Sequence, residues 1–324
     1  MHEYSVRSAG DRRAAARGLP RGGRPPVTSQ PHFDTGTFRP RRPIFIVKLG
    51  GAAADACPPG HPLWSALGRL HRSLGAGGGV VLVHGGGNLV DARLSRLGLR
   101  SVKVDGLRVT PEAHMDEVVA ALAGISNTQI VGALLAAGTA AVGLTLADGF
   151  LARAEVRRHP TADLGRVGAI TGGDASLVHG LLDAGMMPVI APIACDGSGG
   201  LLNVNADDAA AALAAIVGAV RLVLLSDVPG VMLADGTLMA ELDEAGMEAL
   251  VASGVISGGM VAKVRAAMEA AAAAGCEVLI AGWKDPTVVA DLAGFSSTDQ
   301  ARAAHGSRAR AGTLIVRSLQ GARA

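Results

Sequence analysis

An open α/β fold, with a mainly parallel central sheet and helices on both faces, is predicted by three features of this sequence. Short apolar runs close on glycine: Ile44 to Leu49 runs into Gly50-Gly51, and Val80 to Val83 into His84-Gly85-Gly86-Gly87. A helical stretch follows each run, as expected of a buried parallel strand feeding a βα turn. The strand-then-helix alternation continues to the end of the chain in two halves, with a boundary near 195–200. Two half-domains sharing one extended sheet fit this pattern.

The elements follow in order. Pro62 opens a helix to about Ala76, and Asn88 to about Leu97 is helical with Leu89, Val90, Leu94 and Leu97 on roughly one face. Asp105-Gly106 between alternating residues of 101–109 signals a hairpin. Thr110-Pro111-Glu112 supplies a cap, a first-turn proline and a first-turn acid, and two helices separated near Gly124 should fill 111–138. Strands are expected at 140–146 and 188–193, a hairpin laid over the sheet edge at 150–170, and a helix capped by Asp174 and running to Ala184. In the second half, Leu201 to Asp207 leads into an Ala-rich helix ending near Gly218. Arg221 to Ser226 is a strand, Asp227 to Val231 a turn, 243–252 and 259–274 helices, 276–281 a strand, and 312–316 a short final strand.

Composition excludes several function classes. Hydrophobic residues make up 49% of the chain, so a packed core is expected. The net charge of +2 hides an asymmetry: residues 1–43 carry nine Arg against Glu3, Asp11 and Asp34, a balance of +6. The rest is at −4 and has no basic nucleic-acid surface. Cys57, Cys195 and Cys276 are far apart, form no CxxC pair and suit a reducing, cytoplasmic setting without a protein-held metal. No apolar run nears 18 residues without Gly or charge, so no membrane span is expected. Residues 1–43 lack the apolar core of a secretory signal and read as a disordered or mis-started extension; residues 317–324 form a tail.

The chemistry is suggested by rare residues. Lysine occurs only at 48, 103, 263 and 284, against 26 arginines. A chain that writes Arg almost everywhere should keep Lys where a compact ammonium cannot be replaced by a planar fork. Lys48 ends the first strand. Lys263 lies in the first turns of a helix, where it opposes the macrodipole and so answers to something else, such as a bound phosphate. Glycine turns at strand ends let backbone N–H groups approach an anion, yet neither turn is a P-loop and GxGxxG is missing. Asparagine occurs only at 88, 127, 203 and 205; two of the four precede Asp207, a carboxylate suited to fixing two lysines. Arg108 sits on the hairpin, a natural partner for a carboxylate.

Taken together, Lys48-Leu49-Gly50-Gly51, His84 to Gly87, Gly106 to Thr110, Asn203 to Asp207, Leu225 to Val228 and Gly259 to Lys263 resemble the acetylglutamate kinases of the amino acid kinase superfamily, over about residues 44–316. The resemblance implies a three-layer sandwich and a transfer of phosphate from ATP to the side-chain carboxylate of N-acetyl-L-glutamate in arginine biosynthesis. By position, Lys48 and Lys263 would stabilise the transferring phosphoryl group and Asp207 would hold both. Gly51, Gly86 and Gly87 would line the transfer region, Arg108 would clamp the α-carboxylate, and Asn203 would bind acetylglutamate. Asp227, Val228, Pro229, Gly230, Val231, Met232, Val255, Ile256 and Ser257 would flank the nucleotide, with Mg²⁺ on the ATP phosphates. Residues 44–195 would carry the acetylglutamate site and a homodimer interface, and 196–316 the ATP site.

The extension is broken by Gly and Pro, and 282–312 lacks the expected arginine-site pattern, so the subtype implied is an arginine-insensitive dimer. Alternatives on the same fold are a kinase for carrier-protein-linked aminoadipate or glutamate and a non-catalytic sensor. Retention of Lys48, Lys263 and Asp207 speaks against the sensor.

Overall fold

The structure, a computed structural model, describes residues 42–256, 259–292 and 312–316. Most of the extension (1–41), Ser257 and the tail (317–324) lie outside the described residues. Strands β1 (Ile44–Leu49) and β2 (Gly79–His84) are followed by a small hairpin, β3 (Val102–Val104) and β4 (Leu107–Val109), and then by β5 (Ala141–Thr145). A second hairpin, β6 (Arg153–Val156) and β7 (Val167–Gly172), precedes β8 (Met187–Ala191), β9 (Ile193–Cys195) and β10 (Leu201–Val204). The second half, which begins before β10, goes on to supply β11 (Arg221–Ser226), β12 (Glu241–Leu242), β13 (Glu277–Gly282) and β14 (Thr313–Ile315).

Eight strands form the main sheet in the order β12-β14-β13-β11-β1-β2-β8-β5. All pairings are parallel except β13 with β14. Within the main sheet the halves of the chain therefore meet where β1 pairs with β11 and Lys48 stands in register with Leu224. Alternation along β1 feeds two cores. Ile44 and Ile46 pack with Ala209, Leu213, Ala267 and Ala271 on one face, while Phe45, Val47 and Leu49 pack with Leu63, Leu67, Leu70 and Leu134 on the other. Burial on both faces is why these strands read as continuous apolar runs. Small side chains on the helices Ala206–Val217 and Gly259–Ala274 let both lie close to the sheet.

Four expectations are corrected. Residues Glu112–Ala136 form one continuous helix, not two, because a π-helical stretch at Ala120–Ser126 carries the backbone past Gly124. That helix is long and apolar enough to cross a membrane by composition, with a mean hydropathy of 1.7. Its buried side chains Val118, Ala121, Leu122, Ile130, Ala133 and Leu134 pack as core. The strand expected over 188–193 breaks at Pro192, which has no N–H to donate; β9 passes to a second sheet, ordered β6-β7-β10-β9. The hairpin expected at the main sheet's edge also belongs to that second sheet. Finally, Asp174 accepts the Ser176 amide at 2.7 Å just ahead of the helix Ser176–Asp183, so it shapes the approach and is not the cap.

Candidate active site

Parallel strands β1, β2 and β11 lie side by side, so their carboxyl ends bring together three chain segments distant in sequence. Lys48 is the one partly exposed residue of β1. Its Nζ lies 2.9 Å from Asp207 Oδ1. Asp207 is the second residue of the helix Ala206–Val217, where a carboxylate is favoured by the helix dipole. Asn205 caps this helix, its side chain accepting from the amides of Asp207 at 2.8 Å and Asp208 at 3.3 Å. The cap that starts the helix thus also fixes the carboxylate that holds Lys48. Burial pushes the neighbouring Asp208 carboxyl upward, against the pull of Arg157, which approaches to 2.5 Å.

Lys263, in the second turn of the helix Gly259–Ala274, donates to Ser226 Oγ at 3.1 Å and to Asp227. That donation holds the Asp227 carboxyl down at about 2. The sequence assigns both lysines to Asp207; the structure pairs Lys48 with Asp207 and Lys263 with Asp227. The reason is topological, since Asp227 directly follows β11 and lies beneath the helix that carries Lys263. Both lysines nonetheless line one cavity of about 500 Å³, with Gly50, Gly51, Asp207, Asp227 and Trp283 among its walls.

The glycine turns lie back to back: Gly50 and Gly51 line this cavity, and Gly85, Gly86 and Gly87 line a smaller one beside it. A Cβ on Gly51 would sit 3.1 Å from the backbone nitrogens of both Gly86 and Gly87. A Cβ on Gly86 would sit 2.7 Å from Leu122 Cδ2 and 3.0 Å from Ser126 Oγ. Glycine is needed here for close approach, because any side chain would separate the turns or push away the long helix. Gly86 and Gly87 also begin the helix Gly87–Arg96, and first-turn amides have no acceptor within their own helix.

A second cavity, of about 190 Å³, adjoins the first and is lined by Gly86, Gly87, Lys103, Arg108 and Asn203. Gly106, Asn205 and Asp207 line both. The Arg108 side chain is almost fully buried and donates to the Gly87 carbonyl at 2.9 Å, and it is also bonded to Asp91 and Ser101. Arg108 holds the Asp91 carboxyl down at about 2. Asn203 donates to Thr110 Oγ1 at 3.0 Å, and Thr110 in turn donates to the Arg108 carbonyl at 2.8 Å. Charge is therefore preorganised on both cavities, the Lys48 and Lys263 ammonium groups on one and the Arg108 guanidinium with the Lys103 ammonium on the other.

Of the residues expected to flank a nucleotide, Asp227 lines the larger cavity. Val228, Pro229, Gly230, Val231 and Met232 form the turn after β11; there the Val231 amide donates to Thr313 Oγ1 at 2.8 Å, and Val231 is buried. Val255 is half-buried, Ile256 is buried in the core, and Ser257 falls outside the described residues. Sequence reasoning missed Ser226 and Trp283 on the larger cavity and Asp91 behind Arg108. Trp283 carried a usable signal, being one of two tryptophans and standing at the end of an apolar strand. Asp91 carried none, as one acid on an ordinary helix.

Comparison with known proteins gives the family. Residues 43–282 match the model of the amino acid kinase family. The acetylglutamate kinase of Vibrio cholerae is 43% identical over 253 residues, covering 78% of this chain and 94% of that one. The acetylglutamate kinase of Shewanella denitrificans is 42% identical over 242 residues, covering 75% and 90%. Among solved structures, smu.665 from Streptococcus mutans UA159 superposes with a TM-score of 0.62 at 26% identity, covering 74% of this chain and 94% of that one. N-acetylglutamate synthase from Neisseria gonorrhoeae shares the fold, with a TM-score of 0.67 at 22% identity, covering 85% of this chain and 60% of that one.

Proposed function

This chain belongs to the amino acid kinase family, and from that premise we propose that it is an acetylglutamate kinase, phosphorylating the side-chain carboxylate of N-acetyl-L-glutamate with ATP in arginine biosynthesis. The observation that carries the reading is the meeting of two cavities at Asp207, one with Lys48 and Lys263 on its walls and the other with Arg108 and Asn203. The substrate's α-carboxylate pairs with Arg108 and its acetamido group is read by Asn203, leaving the side-chain carboxylate beside the glycine turns. ATP takes the larger cavity, and Mg²⁺ enters on its phosphates as part of that substrate.

A carboxylate oxygen attacks the γ-phosphorus, the bond from that phosphorus to the β,γ-bridging oxygen breaks, and ADP departs with the electron pair. The nucleophile is already an anion, so no general base is required. The barrier lies in bringing two anions together, which positioning and positive charge lower. Lys48, held by Asp207, and Lys263, held by Asp227 and Ser226, supply that charge from opposite halves of the sheet.

The test is ADP release with acetylglutamate, with glutamate and without an acceptor. Release only with acetylglutamate supports the reading. Release without an acceptor is plain ATP hydrolysis and counts against it; no release at all counts against it and favours the carrier-linked kinase or the sensor. We further propose a cytoplasmic homodimer, with the acetylglutamate site and dimer face in residues 44–195 and the ATP site in 196–316. An apolar helix that is only partly covered, with Leu135 55% exposed, beside the edge strand β5 supports that interface. Sedimentation with and without arginine tests the arginine-insensitive dimer; an arginine-stabilised hexamer overturns it.

A further inference from the structure

Beneath the glycine turn lies a polar pair that the phosphoryl-transfer reading does not use. His84 ends β2 and is fully buried, and Asn127 is 5% exposed on the long helix, immediately after its π-helical stretch. Two polar side chains in a core of this kind require a complete set of partners. Asn127 Nδ2 lies 2.9 Å from the Val189 carbonyl and 3.5 Å from the Leu144 carbonyl, so this atom must be the donating nitrogen. The same nitrogen is 3.2 Å from His84 Nε2, which therefore accepts. The imidazole proton is left on Nδ1, from which it is donated to the Gly85 carbonyl at 2.9 Å. Glycine at 143 makes room for the pair, since a Cβ there would lie 2.0 Å from Asn127 Oδ1.

The Gly85 carbonyl and the Gly86 N–H belong to one trans peptide and point in opposite directions. Between two glycines such a plane turns over at little steric cost. A donor beneath the carbonyl therefore decides where the amide points. The Gly86 nitrogen, on the other side, is 3.1 Å from the position of a Gly51 Cβ; Gly51 lines the larger cavity and Gly86 the smaller, so this amide lies where the two glycine turns meet. We propose that His84 is a positioning residue for phosphoryl transfer: held as its Nδ1–H form by Asn127, it pins the Gly85–Gly86 peptide so that the Gly86 amide faces the transferring group. The role of His84 rests on the kinase reading above, but its geometry does not. Burial also keeps the ring neutral, pushing its pKa down to about 4, so the lock persists across the physiological range.

The experiment compares His84→Asn and His84→Gln, because Asn places an amide N–H close to the Nδ1 position and Gln places its amide near Nε2. With ATP and acetylglutamate, His84→Gln should lose about 10²-fold in kcat with KM for ATP little changed, the cost of one misdirected oxyanion-type donor. His84→Asn should restore most of that loss, although both variants remove the same ring. Equal losses in the two variants, or wild-type kcat in His84→Gln, would overturn the proposal. Nitrogen NMR of the wild-type His84 ring at neutral pH tests the premise without any variant: an Nδ1–H tautomer supports it, and an Nε2–H tautomer overturns it. If wild-type protein releases no acetylglutamate-dependent ADP, the kinase reading has failed, a result distinct from any difference between the variants.

Discussion

Replacing Lys48 separates catalysis from stability. Its Nζ is 2.9 Å from Asp207, and its side chain is 16% exposed while that of Asp207 is 38% exposed. A unit charge about 4 Å from the transferring phosphoryl group, at an effective dielectric near 20, is worth about 4 kcal/mol. That corresponds to roughly three decades in kcat. The ion pair is open to water on the Asp207 side, so its loss should cost the fold no more than about 1 kcal/mol. Lys48→Met should therefore lower kcat about 10³-fold with a nearly unchanged Tm. Lys48→Arg keeps the charge but moves its centre along a longer, planar side chain, and a fall of about 10²-fold is expected. Coupled ADP-release kinetics beside thermal unfolding make the measurement. If Lys48→Arg keeps kcat within about threefold, or if Tm collapses in step with the rate, the placement of Lys48 at the phosphoryl group is wrong.

Three further outcomes are expected. Gly51→Ala would push its Cβ to 3.1 Å from two backbone nitrogens, and it should cut kcat far more than it lowers the urea midpoint; full activity would show that those amides do not serve the reaction. Arg108→Lys exchanges a buried fork for a point charge, so initial rates should show the acetylglutamate KM rising about 10-fold or more while the KM for ATP stays put. Acid should weaken the fold through His84, whose folded pKa of about 4 lies below its ordinary 6.5. A group depressed in this way contributes fully above about pH 6.5, and its contribution, up to about 3 kcal/mol, is lost as pH falls towards 4. Burial shifts His71 in the same direction, whereas Asp91 and Asp227, with pKa values near 2, stay ionised throughout that window. Equal urea midpoints at about pH 7 and about pH 4.5 would contradict the argument.

The fold was legible wherever one local rule dominated. The strand Arg221–Ser226 matches its expected bounds because six residues with an apolar middle sit between clear punctuation. The rarity of lysine brought Lys48 and Lys263 to one cavity wall, since an ammonium is hard to replace in the chemistry proposed there. What stayed hidden depended on pairings between distant residues. Gly124 reads locally as a helix break, while the π-helical stretch that carries the backbone past it places Leu122 and Ser126 against Gly86, a contact distant in sequence. Asn127 was visible as a scarce residue, but its partners are carbonyls of two other strands. Asp207 was placed between two lysines because the register that puts Asp227 within reach of Lys263 cannot be read from spacing.

The seam between β1 and β11 has a consequence for how the protein is made. Lys48 emerges from the ribosome early, but its in-register neighbour Leu224 and the second ammonium at Lys263 come much later. Until then β1 has one open edge, and no length of nascent chain short of Lys263 contains both cations. Closing that edge joins contacts of very large sequence separation, the kind that slow folding. The centre of the sheet is therefore completed late in biosynthesis, and an incomplete chain has neither a closed sheet nor the paired ammonium groups.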